Sequence, residues 1–261
     1  MDLSVIIVNY KTERLTLQTL KSVFTAQWPA GKVEVILIDN HSEDDILVKA
    51  KTDFPHLITL SCEKNLGFAG GNNLGMRQAK GRYVLLLNSD TMIESDTLVK
   101  MIAFMDAHPR VGLVTCRVIL ANGQLDPASH RGFPTPWAGL TYYLGLEKLF
   151  PRSHWFGQYH QGWQDLNLVH PIDSPVGAFF FLRKTALSQV GLLDETFFMY
   201  GEDIDLALRL KKTGWEVMYN PDTKITHLKG ASGLTSISKE QRVITTKNFF
   251  QAMKIFYQKH Y

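Results

Sequence analysis

The stretch "YVLLLNSDTMI", residues 83–93, changes character at one point: Val84 to Leu87 are apolar, and Asn88, Ser89 and Asp90 follow with no turn glycine between them. Four consecutive apolar residues read as a strand covered on both faces, of the kind found in parallel sheets sandwiched between helices. Ligands of such sheets bind outside the carboxyl ends of the strands, where the connecting loops surround a crevice. A buried strand that ends on a carboxylate makes Asp90 a candidate ligand group.

Outward from this stretch, the first half alternates short apolar strands with amphipathic helices. "LSVIIVNY" (3–10), "KVEVILIDN" (32–40), "LITLSCE" (57–63) and "RYVLLLNSD" (82–90) read as strands. "TLQTLKSVFTAQ" (16–27), "EDDILVKAKTDF" (43–54) and "NNLGMRQAKG" (72–81) read as helices, the last ended by Gly81. This alternation predicts an α/β fold with a Rossmann-like, mainly parallel central sheet flanked by helices. The strands end in Asn9, in Asp39 and Asn40, and in Asn88, Ser89 and Asp90, so three segments bring polar side chains to one edge. Each alone has an ordinary explanation, because Asn and Asp form turns and cap helices, and "DT" at 90–91 could cap the next helix. Their convergence favours a site.

Gly67, Gly70, Gly71 and Gly75 in "EKNLGFAGGNNLG" fit neither the GxGxxG nor the GxxxxGK[ST] spacing, which excludes a dinucleotide fold and a P-loop enzyme. They read either as a loop with unusual backbone angles and close packing or as a backbone contact to phosphate.

With 261 residues and 45% hydrophobic composition, the chain can bury a sizeable core. Its 28 basic and 25 acidic residues are interspersed, a balance that gives no reason to expect nucleic acid as a partner. Cys62 and Cys116 are far apart and form neither a disulfide framework nor a thiolate zinc site, which fits a reducing cytosol. The N-terminus reads as no secretory leader, and no run approaches the ~18 apolar residues of a membrane span. The expected location is cytoplasmic, with peripheral contact at the inner face of the cell membrane left open.

In the second half, "GAFFFLR" (177–183) reads as a buried strand and "KTALSQV" (184–190) as a helix. Glu202, Asp203 and Asp205 then open a further helix, where acids favour the dipole; Asp205 stands four residues before Arg209 and reads as an ion pair. Asp203 differs, because Phe197, Phe198 and Tyr200 should partly desolvate its carboxylate and raise its basicity. Between the halves, residues 127–171 are irregular and rich in aromatics, Pro, Gly and His. Trp137, Tyr142, Tyr143, Trp155 and Trp163 could stack on sugars, touch a lipid interface or pack over the sheet. His130, His154, His160 and His170 have no metal-ligand spacing. The C-terminal "SKEQRVITTKNFFQAMKIFYQKHY" reads as a helix with Lys247, Lys254 and Lys259 among Phe249, Phe250, Ile255 and Phe256, suited to packing on the domain, to a second subunit or to an anionic membrane.

Together, "SVIIVNYKTERLTLQTLKSV", "EVILIDNHSED", "NLGFAGGNNLGMRQAKGRYVLLLNSDT", "GAFFFLRK", "DETFFMYGEDIDLALRLKKTGW" and "HLKGAS" resemble the family 2 glycosyltransferases of GT-A fold, in particular the rhamnosyltransferase-like branch. The resemblance covers about residues 1–120 and 172–233. It implies one domain over 1–261, with a nucleotide-sugar-binding half at 1–120, an acceptor and catalytic half at 121–235 and a terminal helix at 236–261. It also implies transfer of a sugar from a nucleoside diphosphate donor, with inversion, onto a glycan or lipid-linked glycan acceptor. The donor it points to is dTDP-L-rhamnose, with a UDP-sugar as the alternative.

The resemblance sets "NSD" at the family's DXD position, with Asn88 in place of the first acid, so that Asp90 holds a divalent cation bridging the diphosphate. It sets Asp39 on the pyrimidine base, Asn9 beside that base and Asn65 with the donor-binding residues. Asp203 matches the catalytic base, and His227 completes the metal site; a histidine after "KIT" read alone is more often structural. Hard oxygen ligands suit Mg²⁺ or Mn²⁺, and an imidazole tilts the choice towards Mn²⁺. Two other readings stand beside this one. A sugar-phosphate nucleotidyltransferase normally needs a glycine-rich basic loop after strand one, which "NYKTERL" lacks. A catalytically silent carbohydrate-binding or scaffold protein would have no reason to keep both Asp90 and Asp203. Whether the protein forms a homodimer is left open.

Overall fold

The computed structural model describes residues 1–29, 31–228 and 239–261, the side chains of 239–244 excepted. Strand β1 (Leu3–Asn9) is its axis. It lies parallel between β2 (Val33–Asp39) and β4 (Tyr83–Asn88), in a register that pairs Asn9 with Asp39 and Val8 with Asn88. The three polar strand ends therefore finish level with one another. Strand β3 (Ile58–Ser61) extends the parallel set beyond β2.

Helices α1 (Glu13–Thr25), α2 (Ile46–Asp53) and α3 (Gly67–Gln78) connect these strands. Alternation along β1 sets the layers: Leu3, Val5 and Ile7 face a core shared with Leu20, Ile46 and Met101, whereas Ile6 faces one shared with Met76 and Leu206. Helices thus cover both faces, and the buried apolar runs need that cover.

Past β4 the chain adds β5 (Thr91–Ile93), α4 (Thr97–Ala107) and β6 (Val111–Leu120). After α5 (Pro136–Tyr143), α6 (Leu146–Leu149) and β7 (His170–Pro171) come β8 (Phe179–Arg183), α7 (Lys184–Val190), α8 (Glu202–Lys212), β9 (Glu216–His227) and α9 (Lys239–His260). Among the described residues the strand order is β3-β2-β1-β4-β8-β6-β9-β5, with β7 also on β9. The sheet is mixed: β8 runs antiparallel between β4 and β6, while β6 and β9 are parallel. Short β5 returns antiparallel on β9 and pairs Thr91 with His227, which carries the residue before Thr91 to the end of β9.

Three local expectations need correction. "DT" at 90–91 does not cap a helix, because β5 intervenes and α4 starts at Thr97. Helix α3 begins at Gly67 rather than Asn72 and ends before Gly81, so the glycine-rich stretch is helix rather than loop; only Gly67 among its glycines has positive φ, +73°. The close packing expected there is real: a Cβ on Gly75 would sit 2.6 Å from Ile6 and 2.9 Å from Ile38. Residues 127–171 are also more regular than they read, holding a 3₁₀ turn at Pro127–Ser129 besides α5, α6 and β7.

Helix α9 packs on α8 through Ala252 and Phe256, which join Phe197 and Ile204 in a small buried cluster. Among the described residues no helix is long and apolar enough to cross a membrane.

Candidate functional site

At the level ends of β1 and β2, Asn9 is fully buried and its amide is used on both sides. Its Oδ1 accepts from Thr16 at 2.7 Å and Thr12 at 3.2 Å; its Nδ2 donates to Ser42 Oγ at 2.7 Å, Asp44 at 3.3 Å and Asp39 Oδ1 at 3.5 Å. The Ser42 amide also donates to Asp39 Oδ1 at 3.1 Å, which fixes that carboxylate at the strand end. Asn9 is thus a clamp behind Asp39. Asn40 plays the same part for the next loop: it donates to Asn65 and to Gly67 O at 3.0 Å each and accepts from the Leu66 amide, while Asn65 accepts from the Gly67 amide at 2.8 Å.

The "NSD" turn is held from α1. Thr12 Oγ1 lies 2.9 Å from Ser89 Oγ, and Thr19 donates to the carbonyls of Ser89 and Thr91 at 2.9 and 2.7 Å. Asn88 is tied through its backbone, accepting from Thr91 Oγ1 and donating to Ala178 O. With β5 locked on β9, Asp90 Oδ1 comes within 3.2 Å of His227 Nε2, while His227 Nδ1 lies 3.7 Å from Asp126 Oδ2. His227 is 4% exposed. Burial would depress its pKa, yet the Asp126 and Asp90 carboxylates overrule burial and raise it to about 9.

A carboxylate oxygen and an imidazole nitrogen 3.2 Å apart are spaced for adjacent positions around one divalent cation, since donors at about 2.1 Å in octahedral geometry stand roughly 3 Å apart. The pair of Asp90 and His227 therefore fits a metal. Among the described residues no cluster of three or more His, Cys, Asp or Glu side chains forms a complete protein cage, so the remaining donors must be brought by a ligand or water. Asp126, behind the ring, has the place of the carboxylate that orients a ligating histidine. The rest of "HLKGAS", 229–232, lies outside the described residues.

The third cluster opens α8. Gly201, in the left-handed region at φ +85°, turns the chain into the helix. Asp203 Oδ1 accepts from the Ile204 amide at 2.8 Å, and Oδ2 receives Arg131 Nη2 at 2.5 Å. Arg131 also points to the Tyr159 hydroxyl at 3.5 Å. Of the aromatics expected to desolvate Asp203, Phe197 is buried while Phe198 and Tyr200 face outward; the close neighbour is a cation. Glu202 has its pKa pushed up to about 8 by burial and then by the Asp203 charge. Its Oε2 is buried and has no hydrogen-bond partner among the described residues.

Asp205 makes the expected pair with Arg209 at 2.8 Å, and it also receives His260 at 2.8 Å and Lys259 at 2.7 Å from α9. Asp126, Arg131, Thr19 and His260 were missed in the sequence; only "ASHRGF", a cation amid aromatics, carried any signal for one of them, whereas Lys259 was read on a helix suited to packing on the domain, as that helix does. The chain between Asp126 and Arg131 touches both other clusters, one end at His227 and the other at Asp203.

The chain is 29% identical over 230 residues to the O-antigen biosynthesis protein RfbC of Myxococcus xanthus, covering 87% of this chain and 17% of RfbC. It is 27% identical over 215 residues to the N-acetylglucosaminyl-diphospho-decaprenol L-rhamnosyltransferase of Mycobacterium tuberculosis, covering 77% of this chain and 68% of that one. Among solved structures, S. aureus TarS 1–349 in complex with UDP-GlcNAc is similar with a TM-score of 0.62 and 21% identity, over 91% of this chain and 62% of that chain. GalNAc-T7 with UDP, GalNAc and Mn²⁺ is similar with a TM-score of 0.63 and 15% identity, over 87% and 44%. Likeness at this identity concerns the fold alone, and it bears out the α/β, GT-A expectation. The sequence profile of Glycosyl transferase family 2 matches residues 4–190, a span that runs from β1 through "NSD" and the whole of α7, and the chain belongs to that family.

Proposed function

We propose that the protein is a metal-dependent, inverting glycosyltransferase that moves a sugar from a pyrimidine nucleoside diphosphate donor to a hydroxyl of a growing surface glycan. The observation that carries this reading is the opposition of Asp90 and His227 at the end of the strand row that also presents Asp39. A bound divalent cation would neutralise the charge that builds on the departing diphosphate.

The protein's own residues do the rest. Asp39 accepts the ring N–H of the base, held for that task by Asn9 and Ser42. Asn65 and Asn88 line the donor loops beside it. Asp203 takes the proton of the acceptor hydroxyl as the new oxygen–carbon bond forms and the bond from the anomeric carbon to the diphosphate oxygen breaks. A carboxylate offers about four lone-pair sites, so Ile204 N–H and Arg131 leave room for that hydroxyl.

A relative named for O-antigen biosynthesis and one named as the L-rhamnosyltransferase of N-acetylglucosaminyl-diphospho-decaprenol support dTDP-L-rhamnose and a lipid-linked glycan as the first pair to test. A UDP-sugar is second, in keeping with the ligand of TarS. Thermal melting against dTDP, UDP and their sugars, with Mn²⁺, Mg²⁺ or EDTA, tests the reading, since a ligand specific to the folded state raises the melting temperature. Stabilisation by a pyrimidine nucleotide only with metal is expected. No shift under any condition would return the silent scaffold.

A further inference from the structure

Helix α5 and the turns after α6 carry a surface that the proposed transfer does not use. Trp137 and Leu140 of α5 and Leu144 at its C-cap fall at i, i+3 and i+7 along one stripe, and all three are at least 42% exposed. Leu149, Phe150 and Trp155 continue it, with Leu149 and Trp155 at 70% and 73%. Half-buried Phe156 lies beneath, its ring near both Trp137 and Phe150, and the Trp137 indole donates to Trp155 O at 2.8 Å, so the two parts form one face. Soluble surfaces rarely leave so many large apolar side chains together in water. The charges beside them have one sign: Lys148 and Arg152 are exposed, while the lone acid of the segment, Glu147, is largely buried against His160 at 2.6 Å.

We propose that this face docks the protein on a bilayer bearing anionic headgroups. Trp and Leu side chains enter the headgroup boundary, and Lys148 and Arg152 meet the negative surface. The alternative site, α9, buries Ala252 and Phe256 and commits Lys259 to Asp194 and Asp205. The same segment carries Tyr159 to Arg131 and so to Asp203, which places the docked face next to the acceptor side of the site. A lipid-linked acceptor gives this contact its use, and in that respect alone the inference rests on the proposed function.

The test is flotation with vesicles of phosphatidylcholine, alone or mixed with phosphatidylglycerol, at physiological salt. The wild type should float with the mixed vesicles, with a blue shift of tryptophan emission. Leu149→Glu/Trp155→Glu and Lys148→Glu/Arg152→Glu should each lower partitioning more than about tenfold. Lys247→Glu/Lys254→Glu on α9 should bind as the wild type does. Unchanged melting temperatures and unchanged nucleotide-induced shifts verify that the variants are folded and keep the donor site. A protein that binds nucleotide and not vesicles keeps the transferase reading and overturns the docking. Loss of binding in the α9 variant alone overturns it too. So does light scattering that finds a dimer in the wild type and a monomer in Leu149→Glu/Trp155→Glu, because the face would then belong to a second copy.

Discussion

Arg131 and Asp203 stand 72 residues apart in the chain and meet at 2.5 Å, each side chain nearly buried. The carboxylate proposed as the base is thus held by a cation from a turn that also reaches His227 and, through it, Asp90. Asp203→Asn should lower turnover by about 10²–10⁴-fold while leaving nucleotide-induced thermal shifts intact. Arg131→Met keeps volume but strands a buried carboxylate, and urea unfolding should register a loss of about 3 kcal/mol.

The raised pKa of His227, about 9, has two consequences of opposite sign. Without metal, the imidazolium between Asp90 and Asp126 stabilises the fold; that contribution is complete below the ordinary histidine value near 6.5 and is lost as pH rises through about 9. Metal needs the neutral ring, so binding releases a proton and affinity should grow about tenfold per pH unit up to about 9. Titration calorimetry with Mn²⁺ in buffers of different ionisation heat counts the released proton. A pH-independent affinity would remove His227 from the ligand set.

Glu202 shifts the stability in the same sense as His227. Its pKa is raised in the fold by burial and by Asp203, so the folded state holds the proton that the unfolded chain has released, and stability falls as pH climbs from the ordinary carboxyl range through about 8. Glu202→Gln should flatten that slope and raise the melting temperature by a few degrees at pH 8, with little change at pH 5.

Gly75→Ala sets helix propensity against packing. Alanine favours a helix interior by about 1 kcal/mol. The new methyl would meet Ile6 and Ile38 below 3 Å, and both are wholly buried, so overpacking of about 1–3 kcal/mol should win. A net loss of stability in denaturant titration is expected; a gain would mean that α3 lifts off the sheet at little cost.

Asp205 has zero exposure and three partners, Arg209 and, from the terminal helix, Lys259 and the His260 imidazole. Burial pushes its pKa up, but Lys259, Arg209 and His260 together bring it below the ordinary value, so its contribution is present above that value and fades as pH falls through the folded one. Asp205→Asn should cost about 3 kcal/mol and loosen α9, seen as faster amide exchange over 245–261.

Much of this was legible in the sequence because strands covered on both faces are written as unbroken apolar runs, and their polar ends mark the ligand edge. β1, β2, β4, β8 and the start of α8 read directly in that way. The glycine stretch misled because helix propensity counts against glycine, whereas tertiary packing of α3 on Ile6 and Ile38 demands it. Asp126 gave no pattern and Arg131 only that of a cation amid aromatics, since their meaning comes from partners 101 and 72 residues away; only the placement of β9 and α8 reveals it. The existence of β8 was legible but its antiparallel direction was not, as an apolar run has no direction.

That reversed strand also bears on time. Tyr83 of β4 waits for Arg183, 100 residues downstream, before its edge is closed. At about 5–20 residues per second of synthesis, the wait lasts on the order of ten seconds. Throughout it Tyr83 to Leu87, all destined for burial, offer an unpaired edge to any passing chain. A nascent or truncated product that stops before Phe179 is therefore the form of this protein most prone to aggregate, and its yield in a cell depends on how fast the ribosome delivers β8.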